Sequence, residues 1–199
     1  MNLTPRLDEA IKLASQLHRD QTRKDAERTP YISHLISVAT IIGNETDDED
    51  VIIAGLMHDS VEDVEGYTHE KLISDHGERI ASIVKGVTEI KERSLDFDRE
   101  VRWLKTRERY LETLKSAPVE SSIVSAADKI HNIETFLRDY KKEGESFVKK
   151  FDASVKNNLW FYESVLKIVE KKLGVDNNLS KRLSACISEF KDLVENYER

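Results

Sequence analysis

Four ionisable side chains close an otherwise apolar stretch of the chain. Val51-Ile52-Ile53-Ala54-Gly55-Leu56-Met57 runs directly into His58-Asp59-Ser60-Val61-Glu62-Asp63. Read as one helix to about Val64, the offsets 58/62 and 59/63 put side chains one turn apart on a shared face. A run that is apolar on all sides places that helix inside the protein. Charge is tolerated there only when it is paired or bound to a metal. A buried His-Asp doublet is a ligand pair for a divalent cation, with the Glu62 and Asp63 carboxylates beside it. Two further apolar stripes carry one residue of the same kind: His34 near Ile32, Leu35 and Val38, and Asp128 near Ala126, Ala127 and Ile130. Alone, His34 would more often be a satisfied core histidine. Two imidazoles with two carboxylates suit Mn²⁺, Fe²⁺ or Zn²⁺ rather than a structural thiolate zinc site. A metal acidifies bound water, and a carboxylate one turn away can take the proton.

The elements that must position these groups read as helices throughout. Thr4 caps a first helix at Pro5 that continues to about Gln21. Thr22 to Pro30 is a polar loop ending in proline. A second helix takes Tyr31 to about Ile42, and the acidic turn from Gly43 to Asp50 suits the positive end of the central helix. Thr68 caps a short helix stopped by Gly77, and Ile80 to Ile90 forms another. Lys91 to Asp98 is a polar break. Arg99 to Ser116 is helical, and Val119 to Lys142 is a long helix carrying Asp128. Past Gly144 a helix spans about Phe147 to Leu173, and a last amphipathic one Ser180 to Tyr197. The pattern is all-α, about nine helices in one domain.

Composition narrows the class. The 199 residues are 39% hydrophobic and 35% charged, enough for one sizeable core. Seven glycines and three prolines disfavour an all-β fold with many tight turns. A formal net charge of −7 argues against nucleic acid as a non-specific partner. No apolar run approaches the ~20 residues of a membrane span, and the first residues do not start a signal peptide. The single cysteine, Cys186, excludes an internal disulfide. A cytoplasmic protein of open oligomeric state is expected.

The order His34…His58-Asp59…Asp128 resembles the HD superfamily of metal-dependent phosphohydrolases. Arg23-Lys24 ahead of Pro30-Tyr31-Ile32-Ser33-His34 resembles the opening motif of the RelA/SpoT hydrolase domain. His58-Asp59-Ser60-Val61-Glu62-Asp63 and Ala127-Asp128-Lys129-Ile130-His131-Asn132 resemble its two later motifs. The whole chain is similar to the stand-alone small alarmone hydrolases. That implies a single HD domain over 1–199, with a motif-bearing core at 3–140 and C-terminal helices at 145–199. The activity implied is hydrolysis of the 3′-pyrophosphate of (p)ppGpp with Mn²⁺. By the same resemblance His34, His58, Asp59 and Asp128 take the metal, and Glu62 and Asp63 handle the attacking water. Arg23, Lys24, Asn132 and Thr135 contact the nucleotide.

Each of these residues has a plainer reading. Glu62 and Asp63 could be a solvated helix end, although Val61 and Val64 frame them. Arg23-Lys24 could be an ordinary exposed loop. His18, His69 and His76 read as surface residues, and His131 as packing or as support for a metal ligand. Trp103, Trp160, Phe161 and Tyr162 read as core or partner-facing surface. One position departs from the family: Glu134 stands where many members carry arginine, two residues past Asn132. A like charge in place of a phosphate partner leaves two alternatives open, an HD hydrolase of another phosphorylated metabolite and a non-catalytic nucleotide-binding module.

Overall fold

Thr4 opens the first helix as its sequence requires, its Oγ1 accepting the Leu7 N–H at 3.1 Å. The computed structural model describes residues 2–91, 97–150 and 153–197. It contains α1 (Pro5–Leu17), α2 (Ile32–Gly43), α3 (Glu49–Met57), α4 (Ser60–Asp63), α5 (His69–His76) and α6 (Glu78–Lys85). The second half contains α7 (Arg99–Ser116), α8 (Val119–Glu143), α9 (Glu145–Val148), α10 (Val155–Leu173) and α11 (Asn178–Tyr197). The fold is all-α. Among the described residues no strand forms, and Thr22 and Pro30 make one isolated bridge. No helix there is long and apolar enough to cross a membrane.

Among the described residues eleven helical segments replace the expected nine, because two predicted helices are divided. The central one breaks at His58-Asp59, between α3 and α4. No glycine or proline stands at the break. Instead the His58 Nδ1 lies 2.8 Å from the Gly55 carbonyl and the Ser60 hydroxyl donates to the Met57 carbonyl at 2.6 Å. Side chains thus occupy carbonyls that end the helical ladder. The predicted helix from Phe147 begins as the short α9. The chain then re-enters helix at Ser154, which caps α10 by accepting the Asn157 N–H at 3.1 Å. In the predicted break from Lys91 to Asp98, positions 92–96 lie outside the described residues.

α8 is the centre of the packing, touching α2, α3, α6, α9, α10 and α11. A buried cluster runs through the whole chain, from Leu7 on α1 to Val194 on α11. α3 is apolar on every side and wholly buried from Val51 to Met57, which is the inside position that its composition demanded. α2 lies close against it at Gly55, where an added Cβ would meet the end of the Ile42 side chain and stand 3.6 Å from Ala39 Cα. This close approach brings His34 of α2 up to His58.

Gly86 does the same where α6 ends against the first turn of α8. A Cβ there would meet Ala117 Cβ at 2.6 Å and overlap Ser121 Oγ, which donates to the Ile83 carbonyl at 2.9 Å. Gly86→Ala is expected to destabilise the protein by about 1–3 kcal/mol through overpacking. Thermal denaturation checks this, at roughly 2–4 °C of Tm per kcal/mol for a chain of this size. An unchanged Tm would contradict the tight crossing.

Candidate metal centre

The break at 58–59 aims two adjacent side chains at the same point. His34, His58 and Asp59 place one ligand atom each within 4.8 Å of one another. His58 Nε2 lies 3.1 Å from Asp59 Oδ2, and His34 Nε2 lies 3.6 Å from the same oxygen. Asp128 of α8 reaches both imidazoles, its Oδ1 standing 3.3 Å from His34 Nε2 and 3.7 Å from His58 Nε2. Both histidines are almost completely buried.

The donor set fits a divalent cation. The Gly55 carbonyl takes the His58 Nδ1–H, which leaves the Nε2 lone pair facing the carboxylates. That Nε2 is buried and has no hydrogen-bond partner, despite its short distance to Asp59, because the geometry for a bond is absent. His34 is held in the same way, with His131 Nδ1 2.7 Å from its Nδ1. Burial and the His34 ring push the His131 imidazole down to about 3. It is therefore neutral and can accept the His34 proton while Nε2 faces the site. His131 thus orients a ligand from behind. Burial opposes charge on His58, but Asp59 and Asp128 outweigh it and raise its pKa well above the usual histidine range. Without a cation Nε2 therefore carries a proton, which a bound ion would displace to use the lone pair. The site attracts positive charge.

Further groups hold the carboxylates. The Tyr31 hydroxyl donates to Asp59 Oδ2 at 2.7 Å. Lys129, itself buried, donates to Asp128 Oδ2 at 2.6 Å. A cleft of about 180 Å³ opens on this cluster, walled by Glu62, Asp63, Arg107, Asn132, Phe161 and Tyr162 among others. Glu62 is fixed at its wall: Oε2 accepts the Glu89 N–H at 3.1 Å and Oε1 stands 3.2 Å from Lys91 Nζ. Burial, reinforced by Asp59 and opposed by Lys91, pushes the Glu62 carboxyl up to about 7. A carboxyl in that range can take and return a proton near neutrality. Asp63 lies further out and also pairs with Lys91, at 3.2 Å.

The nucleotide residues expected from sequence divide. Arg23 Nη2 donates to Asn132 Oδ1 at 3.0 Å and to Thr135 Oγ1 at 3.4 Å. Its guanidinium lies 5.6 Å from the Tyr31 ring centroid. Arg23, His131 and Thr135 also line a second cavity of about 500 Å³, so this group stands between two chambers. The Thr22–Pro30 loop holds Arg23 there, with Arg23 N–H donating to the Thr29 carbonyl at 2.8 Å and Tyr31 N–H to that of Gln21 at 3.0 Å. Lys24 lines neither chamber. Its ammonium is lowered by burial and by Arg99 and Arg23.

Several features were not visible in the sequence. His18 is not on the surface. It is buried, with Nδ1 2.7 Å from Gln21 Oε1, and stacks on Tyr31 at 5.4 Å. His69 and His76 are partly covered. Phe161 and Tyr162 of α10 are cleft wall as well as core. Arg107, a cation of the cleft, carried no local signal beyond its charge, and Lys129 was marked only by its place in the Asp128 motif. Glu134 does not reach the cleft at all. It faces α11, where Arg182 takes both carboxylate oxygens at 2.8 and 3.0 Å.

The family model described as HD domain matches residues 10–152. Among curated proteins, guanosine-3′,5′-bis(diphosphate) 3′-pyrophosphohydrolase MESH1 of Danio rerio is 38% identical over 135 residues, 65% of this chain and 68% of that protein. Its Xenopus tropicalis counterpart is 33% identical over 136 residues, 67% and 69% of the two chains. A solved structure of a metazoan ortholog of SpoT, described as hydrolysing ppGpp and playing a role in starvation responses, superposes with a TM-score of 0.73. It is 23% identical, and the superposition covers 95% of this chain and 97% of that one.

Proposed function

The chain belongs to the HD-domain family, and from that membership and the cleft beside the His-Asp cluster we propose a metal-dependent hydrolase of guanosine alarmones. It cleaves the 3′-pyrophosphate of ppGpp to give GDP and pyrophosphate, and the pentaphosphate to give GTP. The observation that carries the reading is the convergence of two imidazole lone pairs and two carboxylates, next to a wall carboxylate held near neutrality.

His34, His58, Asp59 and Asp128 would hold the ion; their mixed N/O set suits Mn²⁺, Fe²⁺ or Zn²⁺, and the likeness to the alarmone hydrolases points to Mn²⁺ among them. When bound it supplies charge neutralisation at a phosphoryl oxygen and a more acidic water. Glu62 accepts the proton of the attacking water while the Glu89 amide and Lys91 fix its orientation. Water oxygen bonds to the phosphorus next to the sugar, the bond from that phosphorus to the 3′-oxygen breaks, and a proton ends on the 3′-hydroxyl. A cleft of about 180 Å³ is smaller than the ~300–1,000 Å³ of most ligand pockets. It suits the diphosphate, and the nucleoside extends past Arg23 and Thr135 into the larger chamber. Arginine is suited to that junction because its plane stacks on a base and its edge binds phosphate.

The test is product analysis after incubating Mn²⁺-loaded protein with ppGpp and a panel of other nucleotides. GDP and pyrophosphate in equal amounts are expected. Turnover of another phosphorylated nucleotide with ppGpp untouched would overturn the reading. Glu134 no longer motivates a different substrate, since it is tied to Arg182. Glu134→Arg is therefore expected to leave KM for ppGpp unchanged. The half-exposed pair that it removes is worth only about 0–1 kcal/mol, so Tm should fall slightly. A lowered KM would place position 134 at the substrate after all.

A further inference from the structure

Arg107 has no part in the reaction as described, yet its surroundings are those of a binding residue. α7 is rich in charge along its length, but this one side chain turns inward and lines the cleft with Glu62 and Lys129. Its guanidinium lies 4.8 Å from the Phe161 ring centroid and 5.0 Å from that of Trp103. Nη1 pairs with the Glu89 carboxylate. Nε is buried and has no hydrogen-bond partner. A guanidinium carries five N–H donors, and leaving a buried one unmatched costs about 1–3 kcal/mol.

The neighbouring cations are already committed. Lys129 Nζ is 2.6 Å from Asp128 Oδ2, and Lys91 stands between Glu62 and Asp63. The wall otherwise carries five carboxyl groups, Asp59, Glu62, Asp63, Glu89 and Asp128, and the neutral hydroxyls of Tyr31 and Tyr162. An anion entering such a chamber needs a fixed donor pointing at it. Nε itself is covered, but 22% of the Arg107 side chain stays open. The two rings fix the guanidinium plane beside the cleft, which lowers the cost of meeting a phosphate there.

We propose that Arg107 binds the terminal phosphate of the substrate's 3′-diphosphate, and of the pyrophosphate released from it. The proposal rests on the hydrolase reading above and adds to it a receptor for the end of the diphosphate remote from the sugar. The pairing with Glu89 then has a second meaning. Glu89 holds Glu62 through its backbone and Arg107 through its side chain, so one residue sets the proton acceptor and the phosphate receptor at a fixed separation.

The experiment compares metal-loaded wild-type protein with Arg107→Met, holding free metal constant. Inhibition by inorganic pyrophosphate should weaken by about tenfold or more, the worth of one hydrogen bond to a charged group. KM for ppGpp should rise in parallel. Inhibition by GDP, which has no 3′-phosphate, should stay as in wild type and shows that the fold is kept. Arg107→Lys keeps the charge without the forked edge and should fall between the two. Pyrophosphate inhibition unchanged alongside unchanged GDP inhibition would overturn the proposal. If Arg107→Met loses GDP inhibition too, Arg107→Met/Glu89→Gln removes the orphaned carboxylate and is judged by the same two criteria. Absence of ppGpp turnover by wild type would instead fail the hydrolase reading. Calorimetric titration of wild type and Arg107→Met with pyrophosphate then decides the role of Arg107 without turnover.

Discussion

Asp128→Asn is expected to strip the protein of its metal and take hydrolysis below detection. Asp128 reaches both imidazoles from α8, and it is the one ligand of the proposed set that does not come from α2 or the 58–59 break. Its carboxylate also neutralises the buried Lys129 ammonium at 2.6 Å. An amide leaves that ammonium an acceptor but no counter-charge, so the site loses a ligand and gains a repelling cation together. Asparagine keeps the volume, and the bond from Asn132 Nδ2 to the side-chain oxygen at 2.5 Å can still form. Folding should therefore survive where alanine would leave the buried ammonium without even an acceptor. Elemental analysis after exchange into metal-free buffer is the measurement. A full complement of metal in Asp128→Asn would remove Asp128 from the ligand set.

Glu62→Gln should keep its metal and lose on the order of 10²-fold or more in kcat, the usual contribution of a positioned acid–base group. The amide oxygen can still accept the Glu89 N–H, which holds Glu62 at 3.1 Å. Lys91 keeps Asp63 as a partner at 3.2 Å. Geometry and charge balance thus change little, while the capacity to take a proton is gone. KM should stay close to wild type, because Glu62 is not assigned a contact with the ground-state substrate. A metal-replete Glu62→Gln protein with near-normal kcat would show that the proton goes elsewhere.

Much of this arrangement is legible in the sequence, and the reason is burial. His34, His58, Asp59 and Asp128 are conspicuous because each interrupts an apolar stripe of helical period, and a charge inside a stripe must have a partner. The helix starts with strong signals, Thr4-Pro5 and Thr68, fall where those side chains cap, and Gly77 stops α5 as read. The remainder depends on contacts far apart in the chain. Nothing near residue 58 announces a helix break, because two side chains bonding back to carbonyls cause it. Glu134 finds its partner 48 residues later, so its departure from the family pattern read as a change at the substrate. His18 has polar neighbours in sequence, but its ring is covered by Tyr31. Arg107 sits in a run of charges in which every other residue would serve equally well for solvation. Only the docking of α10 turns it into cleft wall.

That docking separates two things within one small protein. The proposed ligands and Glu62 all lie inside residues 10–152, the span of the family match. Asn158, Phe161 and Tyr162, which close the cleft, lie beyond it on α10. Mutational drift in α10 can therefore redraw what the chamber admits while the reactive centre stays as it is. A designer wishing to retarget the enzyme has the same freedom, and would vary the inward positions of that single helix before touching any histidine.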